Sequence, residues 1–171
     1  ELGERIRGLV VGPALDKLGI SPWSEALLCT AARAQMVTEL IRPQLDAGVI
    51  VVCDRYTDST LAYQGYGLGL PVDVLRDLSA TATGELVPDL TFLFDVPAEV
   101  GLRRTAVRQS PAAGTDRIEA RGLAFHQRVY QGYLELATAE PGRWRRIPGE
   151  LSIEAAHAAV VDQLRILFRE V

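Results

Sequence analysis

Two runs constrain this chain more than anything else in it: VIVVC (49–53) and LTFLFDV (90–96). Each is apolar without alternation and ends in or beside an acid, Asp54 and Asp95. Unbroken apolar runs rich in β-branched residues suit strands covered on both faces, the habit of parallel sheets. RWRRIPG (143–149) reads as a weaker third strand. The spacing predicts helices over about 71–82, 97–109, 117–140 and 152–169. Strands alternating with helices give an α/β fold with a parallel sheet. In such sheets ligands bind outside the carboxyl ends of the strands, where Asp54 and Arg55 fall.

Upstream, LGERIRGLVV (2–11) has helical spacing and GPALDKLGISP is a connection. Ser21 has the character of an N-cap, with Pro22 at the first helical position. The helix it starts is expected to reach about Ala47, because Leu27, Leu28, Ala31, Ala32, Met36, Val37, Leu40 and Ile41 follow a helical period. Pro43 should kink it and Gly48 should end it.

A chain of 171 residues, 48% hydrophobic, is large enough for one domain with a sizeable core. Its net charge of −4 argues against a generic nucleic-acid or membrane-surface binder. No apolar run approaches the roughly 20 residues of a membrane span, and nothing resembles a signal peptide. Cys29 and Cys53 are too few and too far apart for a metal knuckle or a disulfide framework, and read as reduced thiols of a cytoplasmic protein. Of 18 basic residues only Lys17 is a lysine. Codon composition and the phosphate-binding fork of arginine both account for that excess, and composition does not separate them.

The stretch DRYTDSTLAYQG (54–65) carries the chemistry. Arg55 is a strong anion receptor. Thr57, Ser59 and Thr60 supply hydroxyls, and Tyr63 offers a flat face or a steric wall. Gln64 has both donors and an acceptor, as needed to read a base edge. If the segment turns helical after Thr57, Thr60 and Gln64 share a face. An anion receptor beside a base-edge reader points to a nucleoside monophosphate.

DRYTDSTLAYQGYGLGL closely resembles the signature of thymidylate kinases, Asp-Arg-[Tyr/His]-x-x-Ser-[Ser/Thr]-x-Ala-Tyr-Gln-Gly. AARAQ (31–35) resembles the family's preceding helix motif. PDLTFLFDVPAEVGLRR (88–104) resembles its strand and the helix leading to the lid. DRIE (116–119) and FHQRVYQGYLELA (125–137) resemble the lid's end and the next helix, and ELGERIRGLV the segment just past the family's Arg-Glu-Pro-Gly-Gly-Thr loop. The resemblance spans nearly the whole chain. It implies a three-layer P-loop kinase fold, with a parallel sheet and helices on both faces, as a single domain over 1–171 with its lid at about 104–117. The implied reaction moves the γ-phosphoryl of Mg·ATP to thymidine 5′-monophosphate, so ATP and Mg²⁺ are the expected cofactors.

Residue by residue, the resemblance implies that Arg55 holds the acceptor phosphate and Arg33 donates to the thymine. Thr60 and Gln64 complete base recognition, with Ser59 beside them. Tyr63 lies near the sugar and disfavours a 2′-hydroxyl, and Glu119 lies near the 3′-hydroxyl. Arg104, Arg108 and Arg117 are the lid arginines, serving the transferring phosphoryl and the donor. Asp54 orients the acceptor end or the Mg²⁺ shell. The family is usually homodimeric, and the long apolar helix 21–46 suits that interface.

Several positions depart from the family pattern. Cys29 stands where a phenylalanine usually stacks on the base, Leu68 where an arginine is frequent, and Ala106 where a lid arginine is frequent. No Gly-x-x-x-x-Gly-Lys-[Ser/Thr] motif occurs; Lys17 sits in ALDKLG, and GYGLGL (65–70) reads as a turn. The family's P-loop strand runs between the strands matching 48–54 and 89–95. Its absence implies that the sequence is part of a longer polypeptide and does not bind donor phosphates competently as it stands. Two other readings stay open: a non-catalytic nucleotide-binding or dimerisation module, and a kinase for another pyrimidine monophosphate.

Overall fold

The computed structural model describes residues 2–11, 19–108 and 117–168. Helix α1 (Leu2–Val11) matches the expected helical stretch. Helix α2 (Pro22–Met36) starts as its sequence dictates: the Ser24 amide donates to Ser21 Oγ at 3.1 Å, and Pro22 occupies the first turn, where its missing N–H costs nothing. Pro43 does not break the helix. A π-helical stretch, Val37–Ile41, comes first, and α3 (Arg42–Asp46) follows. Widening the turn lets the chain pass a residue that cannot donate. Gly48, at φ 73°, ends the helix: Val49 N donates to Gln44 O and Gly48 N to Leu45 O, both at 2.9 Å, the paired pattern that closes carbonyls at a helix end.

The short helix α4 (Thr57–Thr60) runs into a second π-helical stretch, Leu61–Gly67, which takes in the first half of GYGLGL and confines the expected turn to Leu68 and Gly69. Helix α5 (Val72–Thr83) ends at Gly84, where Arg42 donates to the carbonyls of Gly84 at 2.6 Å and Thr83 at 3.2 Å. Strand β1 (Thr91–Asp95) leads to α6 (Ala98–Arg108). Helix α7 (Leu123–Ala139), strand β2 (Trp144–Pro148) and α8 (Ile153–Leu167) complete the described chain. Residues 117–121 form turns instead of the first turn of the expected 117–140 helix, and extended Gly122 precedes α7.

β1 and β2 pair in parallel, Thr91 opposite Trp144 through Asp95 opposite Pro148. The two runs were legible as strands, but VIVVC is a correction. Residues 49–53 form no strand, and instead of being covered, Ile50 is 68% and Val52 93% exposed. A strand exists only with a hydrogen-bonding neighbour, and among the described residues β1 pairs with β2 alone.

The core places the Leu61–Gly67 stretch at the centre. Leu61 and Ala62 pack with Ala26 of α2, Leu75 of α5, Phe125, Val129 and Leu136 of α7, and Trp144 of β2. The approach to α7 is close. A side chain at Gly132 would meet Tyr66 carbons at 2.5–2.7 Å, and one at Gly67 would meet Phe125 at 2.6 Å. A smaller cluster of Val37, Ile41 and Tyr56 anchors the chain as it enters the 54–67 segment.

Candidate functional site

Helix α2 presents Glu25, Cys29 and Arg33 at four-residue spacing, so the three share a stripe. Cys29 and Arg33 are half-buried, and Glu25 is fully buried. Facing this stripe is the segment that opens at Asp54. The backbone turns sharply at Arg55, whose φ of 67° is rare for a residue with a side chain. Cys53 Sγ donates to the Arg55 carbonyl at 3.3 Å across that bend. The bend returns the Arg55 guanidinium over the Tyr63 ring, 5.0 Å from its centroid.

The helical stretch beyond is held from several sides. Asp58 is buried and receives both arms of Arg143, at 2.7 and 2.8 Å, while Arg143 also reaches Thr91 Oγ1 and Glu140. The carboxylates raise the Arg143 pKa above the ordinary guanidinium value against the opposing effect of burial. Ser59 Oγ shares a 2.7 Å hydrogen bond with Tyr133 Oη. Burial pushes the Tyr133 phenol up to about 12, against the nearby Arg55 charge and the Ser59 bond. Tyr63 packs edge-on against Phe125 and Tyr133, at 6.0 and 6.3 Å between centroids.

Two contacts join the segment to α2. Arg33 donates to Thr60 Oγ1 at 2.8 Å, and Gln64 Nε2 donates to Glu25 Oε1 at 2.8 Å. Thr60 and Gln64 are both buried, so the expected shared face exists although the stretch holding Gln64 is π-helical. Burial pulls the Arg33 pKa below its ordinary value. Burial likewise raises the Cys29 thiol. Glu25 is the hub. Arg121 donates to both its oxygens, at 3.2 and 2.6 Å, and Arg117 donates to Oε2. Burial would raise this carboxyl, but the bonds from Arg121, Arg117 and Gln64 outweigh it and hold the pKa below the usual range. Arg117 also donates to the Val10 carbonyl at 3.0 Å, tying α1 to the cluster.

The carboxyl end of the sheet forms a separate region. Asp95 accepts from Tyr130 Oη at 2.7 Å and from Arg146. Gly149 N donates to Asp95 O at 3.0 Å, an approach so close that a Cβ on Gly149 would meet that oxygen at 2.4 Å. Arg104, at the exposed surface, donates to the Gly149 carbonyl at 3.0 Å. It borders a cavity of about 540 Å³ that Phe94, Val96, Leu151, Ile153 and His157 also line.

A family model described as thymidylate kinase matches residues 1–160. The chain is 48% identical over 162 residues to a thymidylate kinase of Roseiflexus sp. (strain RS-1), covering 90% of this chain and 71% of that protein. It is 49% identical over 169 residues to one of Thermomicrobium roseum, covering 96% and 77%. With one of Deinococcus radiodurans it shares 50% over 143 residues, covering 84% and 66%. The chain belongs to the thymidylate kinase family. Membership brings the P-loop kinase fold, with which the parallel β1–β2 pair between helices agrees.

Of the signature residues, Thr60 and Gln64 meet α2 through Arg33 and Glu25, while Ser59 and Tyr63 meet α7 through Tyr133 and Phe125, with Arg55 above Tyr63. Asp54 is exposed beside Arg55, and Leu68 packs on the core. Arg104 lies at the sheet's end, while Arg117, expected among the lid arginines, is buried against Glu25 and Val10. Glu119 is half-buried, and its carbonyl lies 3.4 Å from His126 Nε2. Arg108 ends α6, and the lid positions 109–116, like Lys17, lie outside the described residues.

Glu25, Arg121, Asp58, Tyr133 and Arg143 were not singled out from the sequence. For Glu25 a signal existed: an acid on the buried stripe of an otherwise apolar helix demands partners. For Arg143 there was none, since its partner Asp58 lies 85 residues away.

Proposed function

We propose that this chain provides the acceptor-nucleotide half of a thymidylate kinase, which transfers the γ-phosphoryl of Mg·ATP to thymidine 5′-monophosphate and releases ADP and thymidine diphosphate. The observation that carries the reading is the Arg33–Thr60 hydrogen bond, 2.8 Å long between residues 27 apart. It joins the two signature elements that the family resemblance assigns to base recognition. In this reading Arg55 takes the monophosphate, Tyr63 walls the sugar, Glu119 lies toward the 3′-hydroxyl, and Cys29 borders the base. Arg104 and Arg108 bring positive charge to the phosphoryl in flight, where transfer needs in-line positioning and charge compensation more than covalent help. Arg117 supports the lid from its base, through Glu25.

Among the described residues no group of three or more His, Cys, Asp and Glu side chains gathers as a metal site. In this reading the Mg²⁺ arrives as part of Mg·ATP, bound chiefly by phosphates and water, with Asp54 the proposed protein contact. The exposed run 49–53 and the unpaired edge of β1 would each pair with a further parallel strand, the family's P-loop strand, completing a single domain with its lid at about 104–117. Without that strand the 171 residues are proposed to bind the acceptor and not to turn over. No described helix is long and apolar enough to cross a membrane. A homodimer, formed through the α2 side, in the cytoplasm completes the proposal.

The test is a coupled ADP-release assay on the full-length protein with Mg·ATP and thymidine monophosphate. Turnover supports the kinase. Binding of the monophosphate without turnover at saturating substrates would establish a binding module instead. Turnover with another pyrimidine monophosphate in preference would move the base assignment.

A further inference from the structure

The buried carboxylate of Glu25 has a consequence for the residue it touches. An amide side chain has a carbonyl and an amino end of nearly the same shape, and only its partners decide which way it faces. Gln64 is 3% exposed, so water does not arbitrate. Glu25 is 0% exposed and faces Arg117 and Arg121, two groups that only donate. Beside these cations it is ionised and can only accept. Gln64 must therefore turn its amino end to Glu25, as the 2.8 Å Nε2–Oε1 contact records. The reversed amide would set a carbonyl oxygen against a carboxylate oxygen in a buried place, leaving both unsatisfied.

We infer that Glu25 is a positioning residue for base selection, fixing the Gln64 amide so that its carbonyl is turned to the nucleotide and an imide N–H is demanded of the base. The inference rests on the reading of Thr60 and Gln64 as the base-facing pair. Thymine and uracil offer a ring N–H flanked by carbonyls. Cytosine offers a ring lone pair flanked by an amino group. A fixed carbonyl on Gln64 meets the first with a hydrogen bond and the second with lone-pair repulsion. Arg33, which only donates and is already anchored on Thr60, rejects the cytosine amino group in the same sense. Glu25 need not touch the base to act; it removes the alternative amide orientation that would tolerate cytosine.

Calorimetric titration of the protein with thymidine and deoxycytidine monophosphates tests this without requiring turnover. The wild type should prefer thymidine monophosphate. Glu25→Gln, whose neutral amide can pair with either end of Gln64, should narrow that preference about tenfold or more, the worth of one buried hydrogen bond and its penalty. Arg121→Lys serves as the control: it weakens the same cluster and keeps the carboxylate, so it should lower stability and leave the preference intact. A preference unchanged in Glu25→Gln, or narrowed equally in both variants, would overturn the inference while leaving the kinase reading standing. A wild type without preference would overturn the base-facing reading itself. If Glu25→Gln does not fold, the ¹⁵N side-chain signal of wild-type Gln64, assigned through Gln64→Leu, decides. Slow solvent exchange of its amino protons agrees with the fixed amide, and free exchange refutes it.

Discussion

Arg55 holds a backbone conformation that an arginine adopts at a cost, on the order of 1–3 kcal/mol. The cost is tolerable if the guanidinium must lie over Tyr63. Arg55→Gly separates the two effects: it should leave the melting temperature unchanged or raised, and weaken thymidine monophosphate binding about 10- to 100-fold, the worth of one charged hydrogen bond. Thermal denaturation and calorimetry on the same sample would show both. Tyr133 gives a pH dependence. Its folded pKa of about 12 lies above its ordinary value of 10.0, because burial disfavours the phenolate. The neutral phenol therefore contributes stability in full below pH 10, and that contribution fades as pH rises through about 12. Tyr133→Phe should lose less stability than the wild type across this window in denaturant titrations. The residues legible in advance were those whose chemistry is unusual where they stand, such as Arg55, Arg33 and Gln64. Arg143 was not, because charge pairing over 85 residues leaves no local trace, and Glu25 showed only as an acid on an otherwise apolar helix, with nothing local to name its partners.

At the scale of elements, the caps were legible because their chemistry is local: Ser21 and Pro22 start α2, and Gly48 stops α3. The π-helical stretches were not, since the residue types that fill them also suit an α-helix. The Leu61–Gly67 stretch depends on α7 passing close by. Gly132 has no room for a methyl against Tyr66, so Gly132→Ala should cost roughly 1–3 kcal/mol by overpacking and lower the denaturant midpoint. The same shift would displace Tyr63 and Gln64, so nucleotide affinity should fall with it. The helix expected from residue 117 begins only after Gly122, because Arg117 and Arg121 reach inward. Their attraction to a buried carboxylate overrides the helical pattern.

Over the whole molecule, a parallel α/β arrangement followed from two apolar runs, but only one of them is paired here. The sequence pattern reports that VIVVC suits a strand; it does not report which partner completes it. In the 171 residues by themselves, amides of 49–53 should exchange with solvent far faster than those between β1 and β2, and hydrogen-exchange mass spectrometry resolves the two. The Glu25 cluster also has a place in time. Its bonds span 39, 92 and 96 residues, and Arg117 reaches Val10 across 107. Closing such loops is entropically costly until the intervening chain has already condensed. The cluster is therefore expected to close late, as a latch and not as a nucleus. Weakening it through Arg121→Lys should hasten unfolding in stopped-flow experiments and leave the refolding rate almost untouched.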